Sequence, residues 1–136
     1  MPGLVAFDAT TTTSVVIPVV SQDGLQLVGL GLTTPVTIDP TMAQVVVRFF
    51  DTNGQPVSGV TVALAGTERV AYDLAAGYTD DAKATGGRGL AFLFNIDAAA
   101  TPSSRQLTLS GSVSGSGNVW IQEGAATLLE LGVSKN

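Results

Sequence analysis

The chain contains no cysteine and no histidine. Without thiolate or imidazole there is no zinc site of the usual donor set, no cysteine nucleophile and no Ser–His–Asp relay. Disulfides are excluded as braces and as markers of redox compartment. Charge is scarce too: 12% of the 136 residues are Asp, Glu, Lys or Arg, about half the usual share of ~25%. Six cations, Arg48, Arg69, Lys83, Arg88, Arg105 and Lys135, stand singly against eleven Asp and Glu, for a net charge of −5. Displacing counterions from a nucleic-acid backbone takes clustered positive charge. Nucleic acid is therefore excluded as a partner, and an anionic membrane surface is disfavoured. No run approaches the ~20 apolar residues of a membrane-spanning helix. The opening Met1-Pro2-Gly3-Leu4 has neither the positive start nor the apolar run of a secretion signal. That predicts either an intracellular chain or a mature segment carrying a new initiator methionine.

What the chain does have is apolar residues, 45% of the total, a balance opposite to that of disordered chains. The length fits one domain, which at this size buries roughly two-thirds of its unfolded surface. The apolar residues alternate with period two, the pattern of half-buried strands. Val45, Val47 and Phe49 alternate with Gln44, Val46 and Arg48, and Val60, Val62 and Leu64 with Thr61 and Ala63. Leu90, Phe92, Phe94 and Ile96 are expected to share one face. Leu107 and Leu109 stand between Gln106, Thr108 and Ser110, and Leu129, Leu131 and Val133 alternate with Leu128 and Glu130.

Turn residues separate these runs. Asn53-Gly54 fits a turn in which both residues take positive φ, and Asp23-Gly24 fits another. Gly86-Gly87-Arg88-Gly89 precedes the strand at Leu90, and Gly111, Gly115 and Gly117 break up the region before Trp120. Many short strands between such turns predict an all-β, antiparallel β-sandwich, prealbumin-like or Ig-like. Helix is expected to be minimal, since its one plausible stretch, Leu74-Ala75-Ala76, is short and uncapped. The segment 1–40 reads as an N-terminal extension of one or two strands. Its apolar run Leu25 to Leu32 is taken as strand interrupted by Gly29 and Gly31, and 33–41 as a connector. The core of the single domain then occupies 41–136.

The stretch from Val45 to Val62, VVVRFFDTNGQPVSGVTV, and that from Tyr78 to Ile96, YTDDAKATGGRGLAFLFNI, together resemble the carboxypeptidase regulatory-like domains. The resemblance rests on Asp51, Gly54, Pro56, Gly59, Val60 and Val62, then on Thr79, Asp80, Gly87 or Gly89, Phe92 and Phe94. It covers roughly Ala43 to Val133, and the stretch 81–89 is longer than the compact turn expected there. It implies a transthyretin-type sandwich acting as a non-catalytic structural or adhesion module of a secreted or cell-surface protein. It implies no cofactor and no enzyme activity.

Asp51, Asn53, Asp80 and Asp81 are oxygen donors of the kind calcium takes, without the spacing of an EF-hand loop; turn stabilisation accounts for them better. Carboxylate pairs serve glycosidases, but no long loops frame a cleft here. The glycine runs resemble phosphate loops but lack the helix N-terminus that makes such loops work. Trp120, Tyr72 and Tyr78 are candidates for stacking on carbohydrate, against the alternative that they pack in the core. The charge-free stretch holding Val15, Val16, Ile17, Val19 and Val20, with Pro18 marking an edge or bulge, is a candidate assembly element. It either pairs within its own sandwich, the favoured expectation, or is donated to another subunit, building a fibre or oligomer. Expected partners are thus a protein or a second copy, with carbohydrate as the alternative.

Overall fold

The computed structural model describes residues 11–16 and 22–135. Among them are nine strands and one helix: β1 (Thr11–Val16), α1 (Gln22–Leu30), β2 (Ala43–Phe50), β3 (Val60–Ala63), β4 (Thr67–Asp73), β5 (Tyr78–Thr79), β6 (Leu90–Ile96), β7 (Ser103–Gly111), β8 (Gly115–Ile121) and β9 (Ala126–Gly132). A six-stranded sheet in the order β1-β9-β2-β6-β4-β5 packs on a three-stranded sheet, β3-β7-β8. The fold is an all-β sandwich. Pairing is antiparallel except between β2 and β9, which run parallel with Val45 beside Thr127 and Phe49 beside Leu131.

The space between the sheets is filled by the expected alternating residues. Val45, Val47, Phe49, Val60, Val62, Leu64, Leu107, Leu109, Leu129, Leu131 and Val133 are all buried in one cluster. Each such side chain taken from water stabilises the fold by ~1.5–3 kcal/mol.

A second apolar cluster lies on the other side of the six-stranded sheet, and here the structure departs from the sequence pattern. Leu25 to Leu32 is largely helix, not strand, and Asp23-Gly24 is inside that helix. Leu25, Val28 and Leu32 recur at helical spacing and turn inward, packing with Val36, Val46, Ala71, Phe92 and Phe94. Leu27 and Leu30 face out. Gly29 is what lets the helix settle: a Cβ there would stand 2.7 Å from the Val36 carbonyl oxygen, and the Val36 amide donates to the Gly29 carbonyl at 3.0 Å. Leu74-Ala75-Ala76, by contrast, belongs to the turn after β4.

Leu90, Phe92, Phe94 and Ile96 do not share a face. Leu90, Phe92 and Phe94 pack toward the helix, whereas Ala91, Leu93 and Ile96 point between the sheets. The switch occurs at Asn95, which is buried with φ 54°. Ala43 pairs with Ile96 but Val45 with Leu93, so β6 carries one extra residue. This is a β-bulge, and it inverts the alternation beyond it. Asn tolerates the left-handed region better than other non-glycine residues.

Asn95 also ties the outer layer down. Its Oδ1 accepts from the Asp39 amide at 2.9 Å and from Gln44 Nε2 at 3.0 Å. Its Nδ2 donates to the Thr37 carbonyl and to Glu68 Oε1. Gln26 of α1 completes the fastening, accepting from the Ile38 amide at 2.7 Å and donating to the Val36 carbonyl at 3.1 Å.

Candidate binding surfaces

The carboxylates singled out from the sequence belong to separate turns, and both sets are engaged by the chain itself. Asp51 Oδ1 accepts from the amides of Asn53 at 2.8 Å and Gln55 at 3.0 Å. Gly54 has φ 77°, but Asn53 does not share the left-handed conformation. The expected pair of positive-φ residues is replaced by a turn wrapped around the Asp51 side chain, and the chain then crosses to the other sheet. Asp80 accepts from the amides of Thr33 at 2.9 Å and Thr34 at 3.2 Å and faces Arg69 at 3.9 Å. Asp81 accepts from the Thr33 hydroxyl at 2.7 Å. Both thus brace the connector after α1. Among the described residues no three His, Cys, Asp or Glu gather as metal ligands would.

The glycine run before β6 is organised by a residue the sequence did not single out. Asp73 is buried, and its carboxylate accepts from the amides of Gly86 and Leu90 at 2.9 Å and of Arg88 at 2.7 Å. The loop's backbone donors, of the kind that cradle an anion, are thus aimed at an internal one. The run does not close a hairpin between its flanking strands, because β6 pairs with β4 and β2 rather than with β5. A Cβ at Gly86 would meet the Asp73 backbone carbonyl at 2.5 Å, so glycine is required. Immediately upstream, Thr85 caps the edge of β3: its hydroxyl accepts from the Val60 amide at 3.0 Å, and its carbonyl accepts from the Gly59 amide at 2.8 Å.

Two isolated ionisable groups have identifiable surroundings. Hydrogen bonds from the Thr41 hydroxyl and amide hold the Asp39 carboxyl below its ordinary value. Burial pushes the Tyr72 phenol up, against a smaller opposing pull from the Val62 amide.

The three aromatic candidates occupy three different places and form no common platform. Tyr72 is buried between the sheets, where its hydroxyl accepts from the Val62 amide at 3.0 Å. This core role removes it as a ligand-stacking residue. Tyr78 packs edge-on against Phe92 in the second cluster, with ring centroids 4.6 Å apart, and carries the Arg88 guanidinium 4.8 Å above its ring. Trp120 is on the outside of the three-stranded sheet and is 48% exposed.

Strand register places other side chains around Trp120. Ser104 lies directly opposite it, Gln106 opposite Asn118, and Thr108 opposite Ser116; Ala63 lies on the other side of Thr108. All are exposed, while Leu107, Leu109, Val119 and Ile121 on the same strands are buried. Gly117 lies inside a continuous β8 rather than breaking it. The alternation around Leu107 and Leu109 already marked Gln106 and Thr108 as outward. That Ser104 and Asn118 join them beside the indole comes from pairing across the β7–β8 hairpin. A shallow depression of about 470 Å³ adjoins this face, bounded by Ala63, Leu64, Ala65, Arg105, Gln106 and Thr108. A second of about 360 Å³ lies between Leu27, Val28 and Gly31 of the helical layer and Ala76, Gly77 and Tyr78.

The described part of the N-terminal segment pairs within its own sandwich. β1 runs antiparallel to β9 through six residue pairs, with Val15 beside Leu128 and Val16 beside Thr127. Ile17, Val19 and Val20, the rest of the candidate assembly element, lie outside the described residues, as does Pro18. Among the described residues, no helix is long and apolar enough to cross a membrane.

Comparison of the chain with protein-family models, with curated proteins and with solved structures gave no match.

Proposed function

We propose that this chain is a non-catalytic structural or adhesion-type module of a secreted or cell-surface protein, of the carboxypeptidase regulatory-like kind. The observation that carries this reading is the use made of the carboxylates of Asp51, Asp73, Asp80 and Asp81. Each accepts hydrogen bonds from within the chain, and charge-assisted bonds of this kind are about twice as strong as neutral ones. Their effect is to stiffen the connections between strands, which suits a module that carries load or presents a surface. The turn built by Asp51, Gly54 and Pro56, followed by Gly59 at the entry to β3, supports the family resemblance.

Labelling intact source cells with a membrane-impermeant amine reagent tests the placement, because Lys83 and Lys135 are both exposed. The protein should be modified before lysis. Labelling that requires lysis overturns the surface assignment.

A second reading, assembly by strand exchange, is favoured by one observation. Among the described residues, all of the ladder pairing of β1 is to a single partner, β9, at the margin of the larger sheet. A neighbouring copy supplying the same strand would reproduce those bonds. Light scattering of the full chain against one beginning at Gln22 decides it. Polymers that vanish on truncation support exchange, and a monomer in both removes it.

A further inference from the structure

We infer that the outer face of the three-stranded sheet is a binding site for a neutral polysaccharide, with Trp120 as its stacking residue. The inference rests on the adhesion reading and gives it a ligand class. Trp120 projects from β8 at 48% exposure, on a face whose neighbouring outward positions are Ser104, Gln106, Thr108 and Asn118. A large aromatic kept in water is informative where a lone exposed Leu is not. The exposed part of the indole offers a flat apolar surface, which matches the C–H face of a sugar ring. The surrounding amides and hydroxyls both donate and accept, as sugar hydroxyls do.

The electrical character of the face selects among occupants. None of the chain's six cations or eleven anions stands on the outward positions of β7 and β8, and Arg105, on the other phase of β7 at the border of the adjoining depression, donates to the Asp97 carbonyl at 3.0 Å. A phosphate, sulfate or uronate polymer would call for Arg or Lys in fork-like contact. A membrane surface would call for basic residues around an apolar belt. A protein partner would need a desolvated apolar centre broader than one indole. A neutral, hydroxyl-rich polymer leaves no charge unpaired. Same-face residues on a strand recur every ~6.6–6.8 Å, so the pairs Ser104–Trp120, Gln106–Asn118 and Thr108–Ser116 form successive rows along which an extended chain can lie.

Trp120 is the single tryptophan, so its fluorescence reports on this face directly. Titration with hydroxyethylcellulose, soluble starch and glycol chitin should shift the emission to the blue with at least one of them. Dextran sulfate should not. Affinity electrophoresis in gels holding the responding polymer should show retardation of the native chain, weakened about tenfold or more by Trp120→Ala and several-fold by Gln106→Ala or Asn118→Ala, a tenfold loss being the scale of one good contact. Leu27→Ser, on the opposite layer, should be retarded like the parent. Circular dichroism of each variant establishes that it is folded. The inference is overturned if no neutral polymer shifts the emission, or if folded Trp120→Ala is retarded undiminished. It is equally overturned if the blue shift follows protein concentration alone, which would assign the face to a second copy. Surface labelling of cells is independent of these outcomes. A surface protein that ignores all three polymers sinks this inference alone, and a glycan binder labelled only after lysis sinks the surface reading alone.

Discussion

The outward faces of the two sheets begin from the same period-two pattern and end in opposite conditions. On the six-stranded sheet the outward positions Val46, Ala71, Phe92 and Phe94 are apolar and α1 with its connector covers them, while Arg48 and Glu130 on the same side pair with each other and stay half exposed. On the three-stranded sheet they are Ser, Thr, Gln and Asn with Ala63 and one Trp, and they are exposed. Alternation shows that a strand has two faces. The chemistry of the second face decides whether it must be covered or can be offered to a ligand.

The largest expected contrast comes from trimming one residue on each face. Phe94→Ala should destabilise the fold by about 3–5 kcal/mol, because the helical layer cannot collapse fully into the space. Thr108→Ala on the open face should stay within about 0.5 kcal/mol. Urea denaturation measures both, and equal losses would mean that the two faces are not different in kind.

Next comes the fastening of the helical layer. Asn95→Ala removes the partners of the Asp39 amide, the Thr37 carbonyl and Gln44, and places an alanine at positive φ. A loss of about 2–3 kcal/mol is expected from stranded polar groups and backbone strain together. Hydrogen exchange should quicken in 25–38 before it quickens in β7 and β8. Uniform quickening would show that the layer and the sandwich unfold as one.

The smallest effect concerns the interior that both sheets share. Tyr72→Phe leaves the Val62 amide without its acceptor and should cost about 1 kcal/mol at neutral pH. The phenol of the folded chain keeps its proton above the ordinary value of 10.0. The unfolded chain therefore loses that proton first as pH rises. Stability from this group is whole below about pH 10 and declines as pH climbs toward the folded-state value. Thermal melts should show a shallower alkaline decline in Tyr72→Phe than in the parent, and parallel declines would place the phenol in water.

Much of the sandwich was legible because β-strand alternation is local. Val45, Val47 and Phe49, Val60 and Val62, Leu107 and Leu109, and Leu129 and Leu131 all point where their spacing predicts. The helix was not legible. In Leu25 to Leu32 apolar residues stand at every position not held by Gly or Gln, so helical and strand periods fit the same letters. The inversion within β6 was hidden for a related reason: Ile96 continues the apolar alternation of Phe92 and Phe94 in the sequence, while the bulge at Asn95 turns it to the other side. The aromatic candidates divided along the same line. Trp120 faces outward as a surface residue, but Tyr72 falls on the inward phase of β4, a strand whose alternation Arg69, Val70 and Ala71 do not mark clearly.

By itself the sequence determined that this chain forms strands, since alternating apolar residues bury themselves only on a pleated surface. It also set the chemistry excluded for want of cysteine and histidine. Tertiary structure alone decided that a helix covers one sheet, that Asp73 fills the glycine loop, and that Trp120 stands among hydroxyls and amides. Each of these depends on residues far apart in the chain meeting in space, and local patterns carry no record of such meetings.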